Sequence, residues 1–225
     1  MSSPARTIPP LRDGERLSRQ EFELRYQAMP EVKKAELIDG VVHMPSPVRL
    51  LSHATPHTLL QLWLGTYWGN TPGTIAACEP TTRLEQSSEP QPDGLLMRVQ
   101  GGTAQIDSDD YVTGSPELVA EIASSSLSLD RGAKRHDYEQ AGVPEYVLFL
   151  MEEQRVEWHA LRSGRYELLP SDPQGILRSE VFPGLWLNTA AFFALDVRAV
   201  LATLQQGLAT PEHAAFVAHL SGGQS

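Results

Sequence analysis

Two acids stand where acids are costly. Asp93 follows Pro92 and opens the apolar run Leu95, Leu96, Met97; Glu121 interrupts the run Leu118, Val119, Ala120, Ile122. A carboxylate in a buried strand is destabilising by several kcal/mol unless a cation or hydrogen-bond donors meet it. A divalent metal is the partner that accounts for both, because hard cations take oxygen ligands. Lys134 lies one helical turn beyond Asp130, on a helix that leaves the Glu121 segment and packs back on the sheet. Two carboxylates and an ammonium can bind a hard cation and hold a water against a phosphodiester; the lysine orients that water or stabilises developing charge. Blander readings stand beside this one. Asp93 can be a solvent-facing acid after a proline at a strand edge, and Lys134 can belong to a solvated helix face.

The elements that would position these residues can be read in order. Residues 1–17 form a loose or extended lead-in without periodicity. Ser18 and Glu21 make a capping-box pattern before Phe22, Leu24, Tyr26 and Met29, a helix stopped near Pro30. Asp39-Gly40 between apolar runs signals a hairpin. Thr55-Pro56 reads as an N-cap followed by a first-turn proline. The helix it opens buries Leu59, Leu60, Leu62, Trp63, Leu64, Tyr67 and Trp68 and ends near Gly69. Strands are expected at 75–84, 91–99 and 117–123, with a Gly-, Asp- and Ser-rich loop over 101–115. A capped helix runs from Asp130 to Gly142, followed by a buried strand over 145–151 and a hairpin around Ser163-Gly164. Residues 189–204 and 211–220 read as two Ala-rich helices. The class is α/β or α+β with a mixed sheet.

Composition narrows the function. The 225 residues, 41% hydrophobic and 20% charged, suit an ordinary folded domain. A formal charge of −10 argues against sequence-independent wrapping of nucleic acid, though not against a local basic rim. The single Cys78 excludes an internal disulfide framework and a multi-cysteine zinc site. With no signal-peptide pattern at the start and no long apolar run, a cytoplasmic protein that does not enter a membrane is expected.

Other constellations are weaker. His53 and His57 are four apart, but Pro56 between them disfavours a shared metal-binding face. The run Ser124-Ser125-Ser126 lacks the Gly-x-Ser-x-Gly elbow of a serine nucleophile and reads as a loop capping the Asp130 helix. No phosphate-cradling glycine loop is present.

Taken together, Pro92-Asp93 and Glu121-Ile122-Ala123 resemble the bipartite motif of the PD-(D/E)XK nuclease superfamily. More narrowly, the chain resembles the bacterial Uma-type family of restriction-endonuclease-like proteins. The matching text is Glu36-Leu37-Ile38-Asp39-Gly40, His53 after a Pro-containing loop, Gln91-Pro92-Asp93, the run from Pro116 to Ile122, and the stretch from Asp130 to Tyr146. The resemblance covers roughly residues 18–190, leaving 191–225 as a helical extension. It implies a restriction-endonuclease-like core of four or more strands flanked by helices, with extra hairpins and C-terminal helices. It also implies Mg²⁺- or Mn²⁺-dependent phosphodiester hydrolysis, DNA as substrate, and a homodimer, for which Trp63, Trp68 and the C-terminal helices offer faces. Carried over by residue, Asp93, Glu121 and the Ile122 backbone carbonyl would hold the metal, Glu36 would be a further acid, and Lys134 the catalytic lysine. Glu36 can instead pair across strands with a basic residue. The lysine usual two places after the second acid is Ala123 here, and the segment after Tyr146 departs from the family pattern as Val147-Leu148-Phe149-Leu150-Met151. The alternative of another class is a nuclease fold kept for binding or regulation; a third is another metal-dependent phosphoesterase.

Overall fold

The computed structural model of the chain describes residues 8–45, 47–84, 87–124 and 126–222. Helix α1 (Arg19–Gln27) begins as the Ser18 and Glu21 spacing requires: the Ser18 hydroxyl accepts from the Glu21 amide at 3.3 Å. That bond satisfies one of the amides left unpaired at a helix start. Asp39 and Gly40, at φ 47° and 71°, turn β1 (Glu36–Ile38) into β2 (Val41–His43), the left-handed pair that tight hairpins favour. Residues 11–17, expected as part of a loose lead-in, are instead tied beside this hairpin. Gly14 and Leu17 donate their amides to the Val42 and Gly40 carbonyls, and Leu11 is buried with Phe22, Leu37 and Val42.

Helix α2 (Thr55–Asn70) is preceded by a π-wound turn, Leu50–Ala54. Thr55 is therefore the first residue of α2 rather than its cap, because the chain is already helical before it. Leu59, Leu60, Trp63, Leu64 and Tyr67 enter the main core, whereas Leu62 and Trp68, expected among them, stay 45% and 47% exposed. Trp63 is fully enclosed and donates its indole N–H to the Trp186 carbonyl at 2.9 Å. It is thus unavailable as a homodimer contact.

The strand expected over 75–84 is two, β3 (Thr74–Ala77) and β4 (Thr82–Arg83). Glu79 at φ 50° and Pro80, which has no amide to give, interrupt the ladder between them. After β5 (Gly94–Arg98), the expected loop 101–115 contains β6 (Ala104–Ile106) and β7 (Val112–Gly114), which join β4 in a three-stranded sheet. The main sheet takes β8 (Leu118–Ala123), β9 (Glu145–Leu150), β10 (Arg155–Arg162) and β11 (Arg165–Leu168). Its order is β11-β10-β9-β8-β5-β3, and β8–β9 is its one parallel pair among the described residues.

A parallel neighbour needs a crossover, usually helical. Here it is a helical run over 127–141: α3 (Leu127–Leu129), a π-wound turn Asp130–Lys134, and α4 (Arg135–Ala141). The helix so begins before Asp130, where the sequence placed its start. Gly142 at φ 81° ends it, with the Val143 amide donating to the Tyr138 carbonyl, the left-handed stop that glycine permits. Of the serine run ahead of it, Ser125 lies outside the described residues, and the Ser126 hydroxyl donates to the Asp130 carboxylate.

Beyond the sheet come β12 (Ile176–Arg178), β13 (Trp186–Asn188), α5 (Thr189–Phe193), α6 (Val197–Leu208) and α7 (Pro211–Gly222). The single helix expected over 189–204 is broken at Leu195 (φ 53°), and the Asp196 side chain caps α6. Val200 and Leu204 of α6 pack into the same core as α2 and the even-numbered residues of β8. The fold is α+β, with mixed sheets flanked by helices. Among the described residues no helix is long and apolar enough to cross a membrane.

Gly94 sets how closely β5 approaches α2. A Cβ there would lie 2.8 Å from Leu64 Cδ1 and 3.1 Å from Leu60 Cδ2. Gly94→Ala is expected to cost about 1–3 kcal/mol through overpacking, read as a lower urea midpoint, with the displacement falling on the residue beside Asp93.

Candidate active site

Strand register brings the two acids together. β5 and β8 pair Gly94 with Ala120 and Leu95 with Val119; continuing that antiparallel ladder sets Asp93 opposite Glu121. Side chains alternate along a strand, so Glu121 shares the face of Val119 and Ala123, and Asp93 that of Leu95. Paired residues point the same way, and both acids look toward the helical run over 127–141. Both are buried.

The same register explains the proline. Glu145 and Met151 donate to the carbonyls of Glu117 and Ala123, so odd-numbered residues of β8 face β9 and even-numbered ones face β5. The position opposite Ile122 is Pro92, which has no N–H. Asp93 Oδ2 accepts the Ile122 amide at 2.8 Å instead, and the Ile122 carbonyl is left without a β5 donor. The Asp93 carbonyl is pinned from α2 by Gln61 Nε2 at 2.6 Å and His57 Nε2 at 2.8 Å.

Lys134 reaches the acids from the π-wound turn. Its Nζ lies 2.9 Å from Glu36 Oε1, 3.1 Å from Glu121 Oε1 and 3.7 Å from Asp130 Oδ1. Tyr138 donates to Glu121 Oε1 at 2.9 Å, and the Gln91 amide donates to Glu36 Oε1 at 2.7 Å. Among the described residues Asp93 Oδ1 has two basic side chains near it, Lys34 Nζ at 3.7 Å and His53 Nε2 at 3.8 Å. The structure thus gathers Asp93, Glu121, Glu36 and Lys134, with His53 at the rim.

Four carboxylates and two lysines share this volume, so the acids cannot all be ionised cheaply. Burial pushes Glu121 up to about 8, against the pull of Lys134 and helped by Asp93 and Asp130. Burial also opposes ionisation of Glu36, but Lys134, then Lys34, hold it below the ordinary carboxylate range. Lys134 is kept charged well above the usual lysine value: burial works against the charge, and Glu121 and Glu36 outweigh it.

The donor set suits a hard ion. Among the described residues no group of three or more His, Cys, Asp or Glu is placed to hold a metal ion, so an ion here would have at most two carboxylates, the freed Ile122 carbonyl and water. That is how Mg²⁺ is commonly held, since it keeps several waters and takes one or two carboxylates.

The family described as "Putative restriction endonuclease" (Uma2) matches this chain over residues 19–190. The chain belongs to that family. Its fold is also that of a crystal structure titled as a putative nuclease belonging to DUF820 from Anabaena variabilis, with TM-score 0.54 and 15% identity, covering 82% of this chain and 97% of that one. No curated protein matches the chain. Family and fold are those of restriction-endonuclease-like proteins.

Asp130, Tyr138, Lys34 and Gln61 join the site without being marked for it in the sequence. Asp130 was seen only as a helix start, and Tyr138 only as part of the family-like stretch. Yet Asp130, Lys134 and Tyr138 are spaced by four, which puts them on one helix face. Lys34 stands two places before Glu36, on the same side of an extended segment.

Proposed function

We propose that this chain is a divalent-metal-dependent nuclease that hydrolyses phosphodiester bonds in DNA, with Mg²⁺ or Mn²⁺ held by Asp93, Glu121 and the Ile122 carbonyl. The observation that carries this reading is the convergence of Asp93 and Glu121 across β5 and β8, on one face, beneath Lys134. The ion would supply Lewis acidity toward a phosphate oxygen and toward water. Lys134 and Tyr138 fix the Glu121 carboxylate, Glu36 fixes Lys134, and Gln61 and His57 fix the main chain at Asp93. The acids are held in place before substrate arrives, which lowers the reorganisation needed during reaction.

Calorimetric titration with Mn²⁺ is expected to show saturable binding of one ion per chain. A panel of single-strand, duplex, branched and RNA substrates should then be cut only with the ion, and DNA preferred. The second reading, a nuclease fold kept for binding or regulation, draws on Ala123 in the usual lysine position and on the carboxylates that engage Lys134. It is the outcome if Mn²⁺ binds and every substrate stays intact.

A further inference from the structure

Lys134 has little left to offer a substrate. An ammonium has three N–H donors, and three carboxylates surround this one within 3.7 Å. Only 5% of its side chain is exposed. Lys34 is placed differently. It keeps 23% of its side chain accessible and stands 3.7 Å from Asp93 Oδ1, the oxygen that Ile122 does not occupy. Among the described residues its one hydrogen bond goes to Glu79, at 2.8 Å. It also lines a cleft of about 490 Å³ together with Tyr26, Gln91 and Tyr111, a volume in the range of small-ligand sites. Glu79 lines the cleft as well, whereas Asp93, Glu121 and Glu36 do not, so Lys34 is the junction between the cleft and the acids. Carboxylates repel a phosphate, and a positive group at that junction offsets the repulsion.

We propose that Lys34 contacts the scissile phosphate, and that the cleft it lines receives the substrate strand. This rests on the nuclease reading above. Lys34 becomes a catalytic residue of that reaction, stabilising charge on the non-bridging oxygens, as a lysine point charge does for phosphate, while Lys134 positions the acids.

Lys34→Met, Lys34→Arg and, as a charge control, Arg198→Met on exposed α6 test it. Three quantities are measured: Mn²⁺ affinity by calorimetry, cleavage rate, and anisotropy of a fluorescent phosphorothioate-backbone single strand in Mn²⁺. Lys34→Met is expected to bind that strand roughly tenfold more weakly and to cut about a hundredfold more slowly. Lys34→Met should stay folded and bind Mn²⁺ at least as tightly as the wild type, since a cation beside Asp93 is removed, Lys34→Arg should recover part of both losses, and Arg198→Met should show neither. If the wild type binds the strand, Lys34→Met binds it poorly and nothing is cut, the phosphate contact stands and the nuclease reading falls. The assignment is overturned if Lys34→Met binds and cuts as the wild type does. Equal losses in Arg198→Met, or no strand binding by the wild type, also overturn it.

Discussion

Glu121→Gln is expected to leave a folded protein that has lost divalent-dependent cleavage by roughly a hundredfold to a thousandfold or more. The amide oxygen can still accept from Lys134 and Tyr138, the two donors that Glu121 Oε1 now receives, so packing is preserved while an anionic oxygen is lost. The same substitution tests the site's electrostatics without any ion. Glu121 is raised by burial to about 8, whereas in the unfolded chain a glutamate titrates near about 4.3. Between those values the folded state holds the extra proton, so this group lowers stability as pH rises through the window. The slope from one group is at most about 1.4 kcal/mol per pH unit. Glutamine does not titrate, so the difference in urea midpoint between wild type and variant should grow in the variant's favour from pH 5 to pH 8. Other acids, such as Glu145, raised to about 7 by burial, titrate in both proteins and cancel. Wild-type cleavage persisting in the variant would reject the catalytic role; a pH-independent difference would reject the buried-proton account.

The core of this arrangement was legible because its acids break a pattern. An apolar run with one carboxylate in it is informative wherever burial is certain, and both β5 and β8 are buried along nearly their whole length. The hairpin at Asp39-Gly40 and the stop at Gly142 were legible for a similar reason, since each needs a left-handed backbone that few residues tolerate. The π-wound turns were not. Their hydrogen bonds are set by what the helix packs against, and nothing in Asp130-Arg131-Gly132-Ala133-Lys134 demands the wider winding. The strands β6 and β7 were hidden because they are short and carry exposed polar positions such as Gln105 and Thr113, leaving no alternation to read. Trp63 shows the limit of hydrophobicity as a guide. It and Trp68 lie on one helix, yet one is sealed by Trp186 and Trp158 and the other faces outward, a difference made by segments more than a hundred residues downstream for Trp186.

Lys134→Met is expected to be the most destabilising single change in the site. The methionine side chain fills similar space but leaves Glu36, Glu121 and Asp130 facing one another in a buried volume, and removing one partner of such a cluster costs about 3–5 kcal/mol. For a chain of this length that is a fall in thermal midpoint of roughly 6–20 °C. The penalty should depend on pH in a definite sense. Glu36 is held below its ordinary range: burial resists its charge, but Lys134 foremost and then Lys34 more than compensate. A depressed folded value means stability that is present above the unfolded titration near about 4.3 and lost as pH falls through the folded value. Without Lys134 much of that contribution is gone at neutral pH, so the gap between wild type and variant should be widest near pH 8 and narrow toward pH 4, as the three acids protonate. Adding Glu36→Gln to Lys134→Met should restore part of the loss, since it removes one unpaired charge. Mn²⁺ supplies a second check: if ion and ammonium serve overlapping carboxylates, the ion should raise the thermal midpoint of Lys134→Met by more than that of the wild type. A variant as stable as the wild type at pH 7, with no larger gain from Mn²⁺, would mean that Lys134 does not hold the acids together, and the pre-arranged site would lose its physical basis.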